Sequence, residues 1–249
     1  MRILTLNTWQ ECGPWRERWE IIFDGVKKMQ PDIIVFQEVF NSSWAGEIQK
    51  KTGYASIVFP EEPAGLLILS RFPVLRSECL TLKTRSPAEV YFRYVLFAEL
   101  KTEKGPLAVF NTHWSWQLTD SPVRQKQAEE FLEFVRQKAG NTASAAMGDF
   151  NSTVWTPELR KLKDAGWEDA FAALHPQTPG FTWDNANHYA FGSNHAMPDR
   201  RIDYIYTRRA AETLGRPETA QVVYSEPDAA NRFASDHYGV LVTFNQEKK

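Results

Sequence analysis

Apolar runs of strand length, separated by helical stretches and repeatedly closed by a polar residue, constrain this chain more than any other feature. RILTLNTW, DIIVFQEV, ASIVF, GLLILSRF, VYFRYVLFAEL, PLAVFNTHW, SAAMGDFN, RRIDYIYT, QVVYS and GVLVTF are rich in β-branched and aromatic residues. Near-continuous runs of this kind suit strands buried on both faces. Helical spacing falls between them. PWRERWEIIFDGVKKM carries Trp15, Trp19, Ile22, Phe23 and Val26 on one stripe, with Pro14 at the first helical position. SSWAGEIQKKTG reads as a serine-capped helix closed by glycine. SPVRQKQAEEFLEFVRQKAG turns Ala128, Phe131, Leu132 and Val135 inward, and TPELRKLKDAG is a shorter helix of the same kind. The expected class is therefore α/β, with two mixed sheets packed face to face and helices on the outer faces. YFRYVLFAEL would lie between helices and the second sheet.

The chain has 249 residues, of which 43% are apolar and 24% charged, enough for a full core without staples. No repeat and no dividing linker is present, so one domain over 1–249 is expected. A formal charge of −2 disfavours a tight, sequence-independent duplex binder, although nucleic acid stays a permitted partner. Cys12 and Cys79 imply neither a disulfide framework nor a four-ligand zinc site, and a single bridge between them is left open. MRILTLNTWQ turns polar too early for a signal peptide, and no run reaches the ~18 apolar residues of a membrane span. A cytoplasmic monomer is expected. The sequons at Asn41 and Asn151 read as chance. The region 175–200, rich in Pro, Gly and Asn, reads as a long functional loop.

The polar strand ends carry the chemistry. LTLN ends on Asn7, IIVFQE on Glu38, LAVFNTH on Asn111 and His113, and AAMGDFN on Asp149 and Asn151. In an extended segment Asp149 and Asn151 share a side and Phe150 points into the core. Asp203 sits inside an apolar run and needs a partner there. His237 follows Asp236 directly, but neighbours on a strand face opposite ways, so Asp203 is the better candidate to orient its imidazole. Any one of these residues reads as an ordinary cap or turn. Together they supply hard oxygen ligands for Mg²⁺ or Mn²⁺, two histidines for proton or phosphate work, and amides to hold a phosphate.

LNTW, FQEV, NTHW, GDFNS, RRIDYIY and SDHYGV occur in that order between residues 3 and 242. In this the chain resembles the endonuclease/exonuclease/phosphatase superfamily. The resemblance implies a four-layer α/β sandwich and Mg²⁺-dependent hydrolysis of a phosphate ester by in-line water attack, with Mn²⁺ able to substitute. It implies Glu38 as principal metal ligand, Asn7 beside it, and Asp236 as a second or water-mediated contact. Asp149 would orient or deprotonate the water or serve the leaving group, and Asn151 would hold a phosphate oxygen. His237, paired with Asp203, would contact the phosphate, and His113 would stabilise phosphoryl oxygens or help protonate the leaving group.

The substrate is less legible. Trp9, Trp114, Trp116 and Trp155 follow strand-end motifs, where they would rim the site, and Trp114 and Trp116 are the candidates for substrate contact. Arg93, with Arg124, Arg200 and Arg201, is a candidate for phosphate contacts. A phosphoesterase of a small molecule, nucleotide or lipid headgroup is the first reading. A nuclease of single-stranded or short nucleic acid is the second, and a non-catalytic phosphate-binding module the third.

Overall fold

The computed structural model describes residues 1–191, 197–210 and 212–245. Residues 192–196 of the predicted 175–200 loop therefore lie outside the described residues. Along the chain run β1 (Arg2–Asn7), α1 (Trp15–Met29), β2 (Ile33–Gln37), α2 (Ser42–Thr52), β3 (Ser56–Val58), β4 (Leu66–Ser70), β5 (Val74–Thr81), β6 (Tyr94–Thr102) and β7 (Gly105–His113). A 3₁₀ turn at Leu118–Asp120 leads into α3 (Ser121–Ala139), followed by β8 (Ala143–Asp149), α4 (Pro157–Asp164), β9 (Glu168–Asp169) and α5 (Ala170–Leu174). The described chain closes with α6 (His188–Phe191), β10 (Asp203–Arg208), β11 (Arg216–Val223) and β12 (Gly239–Asn245).

Two six-stranded sheets form, in the orders β11-β12-β1-β2-β4-β3 and β5-β6-β7-β8-β10-β9. Each is mixed: β1 and β2 pair parallel in one, β7 and β8 in the other, and the remaining neighbours are antiparallel. Ile3, Ile33, Val35 and Ile68 from the first sheet meet Leu96, Ala98, Val109, Ala145, Met147 and Ile205 from the second in the central core. Trp19, Ile22 and Val26 of α1 and Ile48 of α2 cover the outer face of the first sheet. Phe131, Phe134 and Val135 of α3, with Leu159 and Leu162 of α4, cover the outer face of the second. This is the four-layer α/β sandwich anticipated from the strand and helix patterns, and β6 lies between helices and the facing sheet as expected.

Several local features differ from the sequence reading. β5 was not anticipated, because its VLRSECLT run is mostly exposed and lacks an apolar face; it is an edge strand recruited by pairing with β6. Val90, Tyr91 and Phe92 stay outside β6 as an exposed apolar turn. The α2 cap is Asn41, whose side chain accepts from the Trp44 N–H, and Pro14 occupies the cap position of α1. On α3, Phe134 is buried while Leu132 is only partly so. Both cysteines are free.

A polar bolt joins the two sheets beneath the site. Asn111 Nδ2 on β7 donates to the carbonyls of Phe36 (2.8 Å) and Leu67 (3.1 Å). Its Oδ1 accepts from Gln37 Nε2 at 2.7 Å. Asn111 was read as one more strand-end polar residue, and its place is inside the sandwich.

Candidate active site

The ends of β1, β2, β7 and β8, the start of β10 and the segment before β12 open on one cleft of about 570 Å³. Glu38, His113, Asp149, Asn151, Asp236 and His237 all line it. Backbone shape aims several of them. Glu38 and Asn151 take left-handed φ values of 64° and 49°, turning their side chains off the strand course. Gly148 has φ 140°, and a Cβ there would stand 2.0 Å from the Thr112 carbonyl. Its lack of a side chain lets β8 approach β7 closely enough to set Asp149 opposite His113.

Asp149 is the hub. Its Oδ2 accepts from Asn7 Nδ2 (3.1 Å) and lies 3.3 Å from His113 Nε2 and 3.7 Å from His237 Nε2. Its Oδ1 accepts the Asn151 N–H at 2.9 Å. Asn151 Nδ2 donates to the Trp114 carbonyl (3.0 Å), which ties the ends of β7 and β8 together. His237 Nδ1 meets Asp203 Oδ2 at 2.9 Å. Asp203 is fixed in turn by its strand and by Thr182, whose Oγ1 accepts the Asp203 and Ile202 N–H groups. Ser235 Oγ donates to the Asn7 carbonyl (2.7 Å) and accepts the His237 N–H (3.3 Å), locking the last segment onto β1. Neither Thr182 nor Ser235 was singled out in the sequence. A lone hydroxyl in a loop carries no signal until its neighbours are placed.

The electrostatics pull these groups apart. Burial would lower the His237 pKa, yet the Asp203 and Asp149 carboxylates and the Asp203 hydrogen bond raise it to about 10. Burial, then the Asp203 charge, lifts Asp149 to about 7, against the pull of His237. His113 lies well below its ordinary value because it is buried and because Arg93 and His237 are cationic nearby. At neutral pH His237 is therefore an imidazolium, His113 a neutral imidazole, and Asp149 a carboxyl group able to exchange a proton.

The donor set suits a divalent cation. Burial raises Asp236 to about 6, and repulsion from Glu38 adds to the rise, so two carboxylates compete for positive charge on the same wall. Such oxygen donors favour a hard cation. Asn7 is turned differently from the expectation. Its Oδ1 accepts the Trp9 N–H (3.1 Å), while its Nδ2 spans Glu38 Oε1 (3.2 Å) and Asp149. In this rotamer it bridges two carboxylates and does not offer an oxygen to a cation. A second arrangement, Asp149, Asp203 and His237, brings one ligand atom from each within 4.8 Å of the others. There the protonated His237 already supplies the positive charge.

The walls need one correction. Trp114 does not reach the cleft: it is 0% exposed and packs edge-on against Phe150 and Phe131. It follows His113 directly, so its side chain turns to the helix-covered face while His113 takes the cleft. Trp155 is 84% exposed and does not line the cleft, whereas Trp9 and Trp116 do. Arg93 lines it as well, but its guanidinium is committed to Glu89 through Nη2–Oε1 at 2.6 Å and Nε. Arg124 is spent on Glu158 and Arg201 on Asp169. Phe40, Tyr91, Trp183 and Met197 complete the apolar wall and were not anticipated as site residues. Trp183 packs edge-on against the His237 ring at 5.1 Å.

A sequence profile described as the Endonuclease/Exonuclease/phosphatase family matches residues 7–237. The chain is 26% identical to tyrosyl-DNA phosphodiesterase 2 of Gallus gallus in an alignment 258 positions long that covers 97% of this chain and 66% of that protein. It is 22% identical to nocturnin of Drosophila melanogaster in an alignment 282 positions long that covers 94% of this chain and 42% of that one. The chain thus spans less than two thirds of the length of these relatives. In three dimensions it is similar to a D. rerio TDP2 structure complexed with a single-strand DNA product. The TM-score is 0.82 and the identity 20%, with 99% of both chains covered.

Proposed function

The chain belongs to the endonuclease/exonuclease/phosphatase family, and from that premise we propose that it is a metal-dependent phosphodiesterase whose ester group carries a planar ring. The observation that carries the reading is the Asp203–His237–Asp149 constellation on one cleft with the Glu38 and Asp236 carboxylates. A bound divalent ion, held by Glu38 and Asp236, would polarise the phosphoryl group and offset its growing negative charge. Mg²⁺ is the proposed ion, with Mn²⁺ able to replace it. The hard oxygen donors support that choice.

The chain's own groups do the rest. Asp203 accepts from His237 Nδ1 and fixes the orientation of the imidazolium, leaving Nε2–H to donate to a phosphoryl oxygen. Asp149, held by Asn7 and the Asn151 N–H, accepts a proton from the attacking water as its oxygen bonds to phosphorus. The bond from phosphorus to the leaving oxygen then breaks, and that oxygen departs as an alcohol or phenol carrying the proton that Asp149 took from the water. Neutral His113, beside Asp149, is placed to donate to the phosphoryl group, and Asn151 completes the phosphate's surroundings. The proposal takes 1–249 as one domain, acting as a cytoplasmic monomer.

Aromatic walls at Trp9, Tyr91, Trp116 and Trp183 support a ring-bearing ester, either an aryl group or a nucleobase. The names of the relatives, a tyrosyl-DNA phosphodiesterase among them, point the same way. A net charge of −2 favours a small ester or a strand end over long duplex. No helix among the described residues is long and apolar enough to cross a membrane. The test is hydrolysis of bis(p-nitrophenyl) phosphate beside p-nitrophenyl phosphate with Mg²⁺. Faster release from the diester is expected. Release from the monoester alone would replace the reading with a phosphomonoesterase. Phosphate binding without turnover of either ester, or of oligonucleotides, would make it a binding module.

A further inference from the structure

Five arginines are buried among the described residues, and four of them have found strong acceptors. Arg18 donates to the carbonyls of Thr8, Trp9, Gln10, Cys12 and Ala234. Arg93, Arg124 and Arg201 each meet a carboxylate, of Glu89, Glu158 and Asp169. Arg200 is different. It is only 7% exposed and meets no carboxylate among the described residues; its Nε, like that of Arg201, has no hydrogen-bond partner among them, and its Nη2 faces Met197 Sδ. A thioether sulfur is a weak acceptor, and a buried charge so poorly served is costly unless something else completes it.

Its surroundings indicate what completes it. Arg200 lines the catalytic cleft, and its guanidinium lies 5.9 Å from the Trp183 ring, the ring that packs on His237. Its backbone is fixed by a two-way bridge to Trp183, Arg200 N–H to the Trp183 carbonyl (2.9 Å) and Trp183 N–H to the Arg200 carbonyl (3.0 Å). The position is therefore built. Burial pushes the Arg200 pKa down, while the Asp149 charge pushes it up, which places its field on the reacting groups. Of the other cations at the cleft, Arg93 is neutralised by Glu89 and His237 by Asp203.

We propose that Arg200 is a substrate-binding residue, whose guanidinium holds a non-bridging phosphate oxygen on the Trp183 side of the cleft. The inference rests on the phosphoesterase reading for its substrate and on the underserved guanidinium for its residue. A planar donor fork next to an indole also matches a phosphate attached to a stacked ring.

The test is calorimetric titration of inorganic phosphate into the full chain with Mg²⁺ present, beside steady-state hydrolysis of bis(p-nitrophenyl) phosphate. Arg200→Met is expected to weaken phosphate binding and raise KM by roughly 10- to 100-fold, with a smaller change in kcat. Arg136→Met, at an exposed arginine that does not line the cleft, should bind phosphate like the wild type. Wild-type phosphate affinity in a folded Arg200→Met protein would overturn the proposal. Should that variant not fold, Arg200→Lys decides: a several-fold loss supports the fork geometry, and unchanged affinity overturns it. Phosphate binding that depends on Arg200 in a protein that turns over no ester would uphold the residue's role while retiring the esterase reading.

Discussion

Asp149 and His237 owe their chemistry to each other. The two carboxylates that flank His237 keep it charged, and the same crowding keeps a proton on Asp149 close to neutrality. Replacing His237 with Ala is expected to lower kcat by roughly 10²–10³, and Asp149→Asn by at least as much. Both variants should retain cooperative melting, and near-normal turnover in either would remove it from the reaction. The same groups set a pH signature on stability. His237 at about 10 exceeds its ordinary 6.5, so its contribution is full below that value and is lost as pH rises through 10. Asp149 at about 7 and Asp236 at about 6 exceed their ordinary 3.8, so the folded form binds their protons more tightly and loses that advantage as pH rises through those values. All three carry one sign, and the EDTA-treated protein should lose stability steadily from about pH 4 to about pH 10. Cation binding competes with those protons. The rise in Tm on adding Mg²⁺ should therefore be larger near pH 8 than near pH 5. Equal shifts at both would argue against carboxylate ligands.

At the level of elements, the site is assembled from strand ends that only the two-sheet packing brings together. Asn7 on β1 reaches Asp149 on β8 across the sheet boundary. Asn111, one layer below, holds β7 of one sheet to β2 and β4 of the other. Asn111→Ala removes the side-chain donor to two carbonyls and leaves the Gln37 amide only the Thr5 hydroxyl, which should cost roughly 2–5 kcal/mol. Urea unfolding measures this directly, and a loss below about 0.5 kcal/mol would show that the bolt contributes little. The order of strands and long helices was readable because their apolar faces are written in period and length. β5 was not, since an edge strand takes its place from pairing and not from pattern. Six polar strand ends could be read as a group, but sequence could not say that Trp114 turns inward while Trp183 and Met197 form the wall. Those assignments depend on which face each loop presents after the sandwich closes. Asn7 shows the limit at finer grain: its position was legible, its amide orientation was not.

For the whole molecule, one end of the two-sheet sandwich gathers every acidic and imidazole group of the proposed reaction. The cleft is walled by aromatic rings and carries Arg200 as its underserved cation. On the proposed reading, the rings would hold the ester's planar group and Arg200 a phosphate oxygen. The most direct test is a Mg²⁺ titration of bis(p-nitrophenyl) phosphate hydrolysis by the wild type and by Glu38→Gln. The account predicts saturable activation that EDTA abolishes, and a midpoint raised at least about tenfold in the variant with little change in its melting. Turnover that persists in EDTA, or an unchanged midpoint in Glu38→Gln, would contradict it.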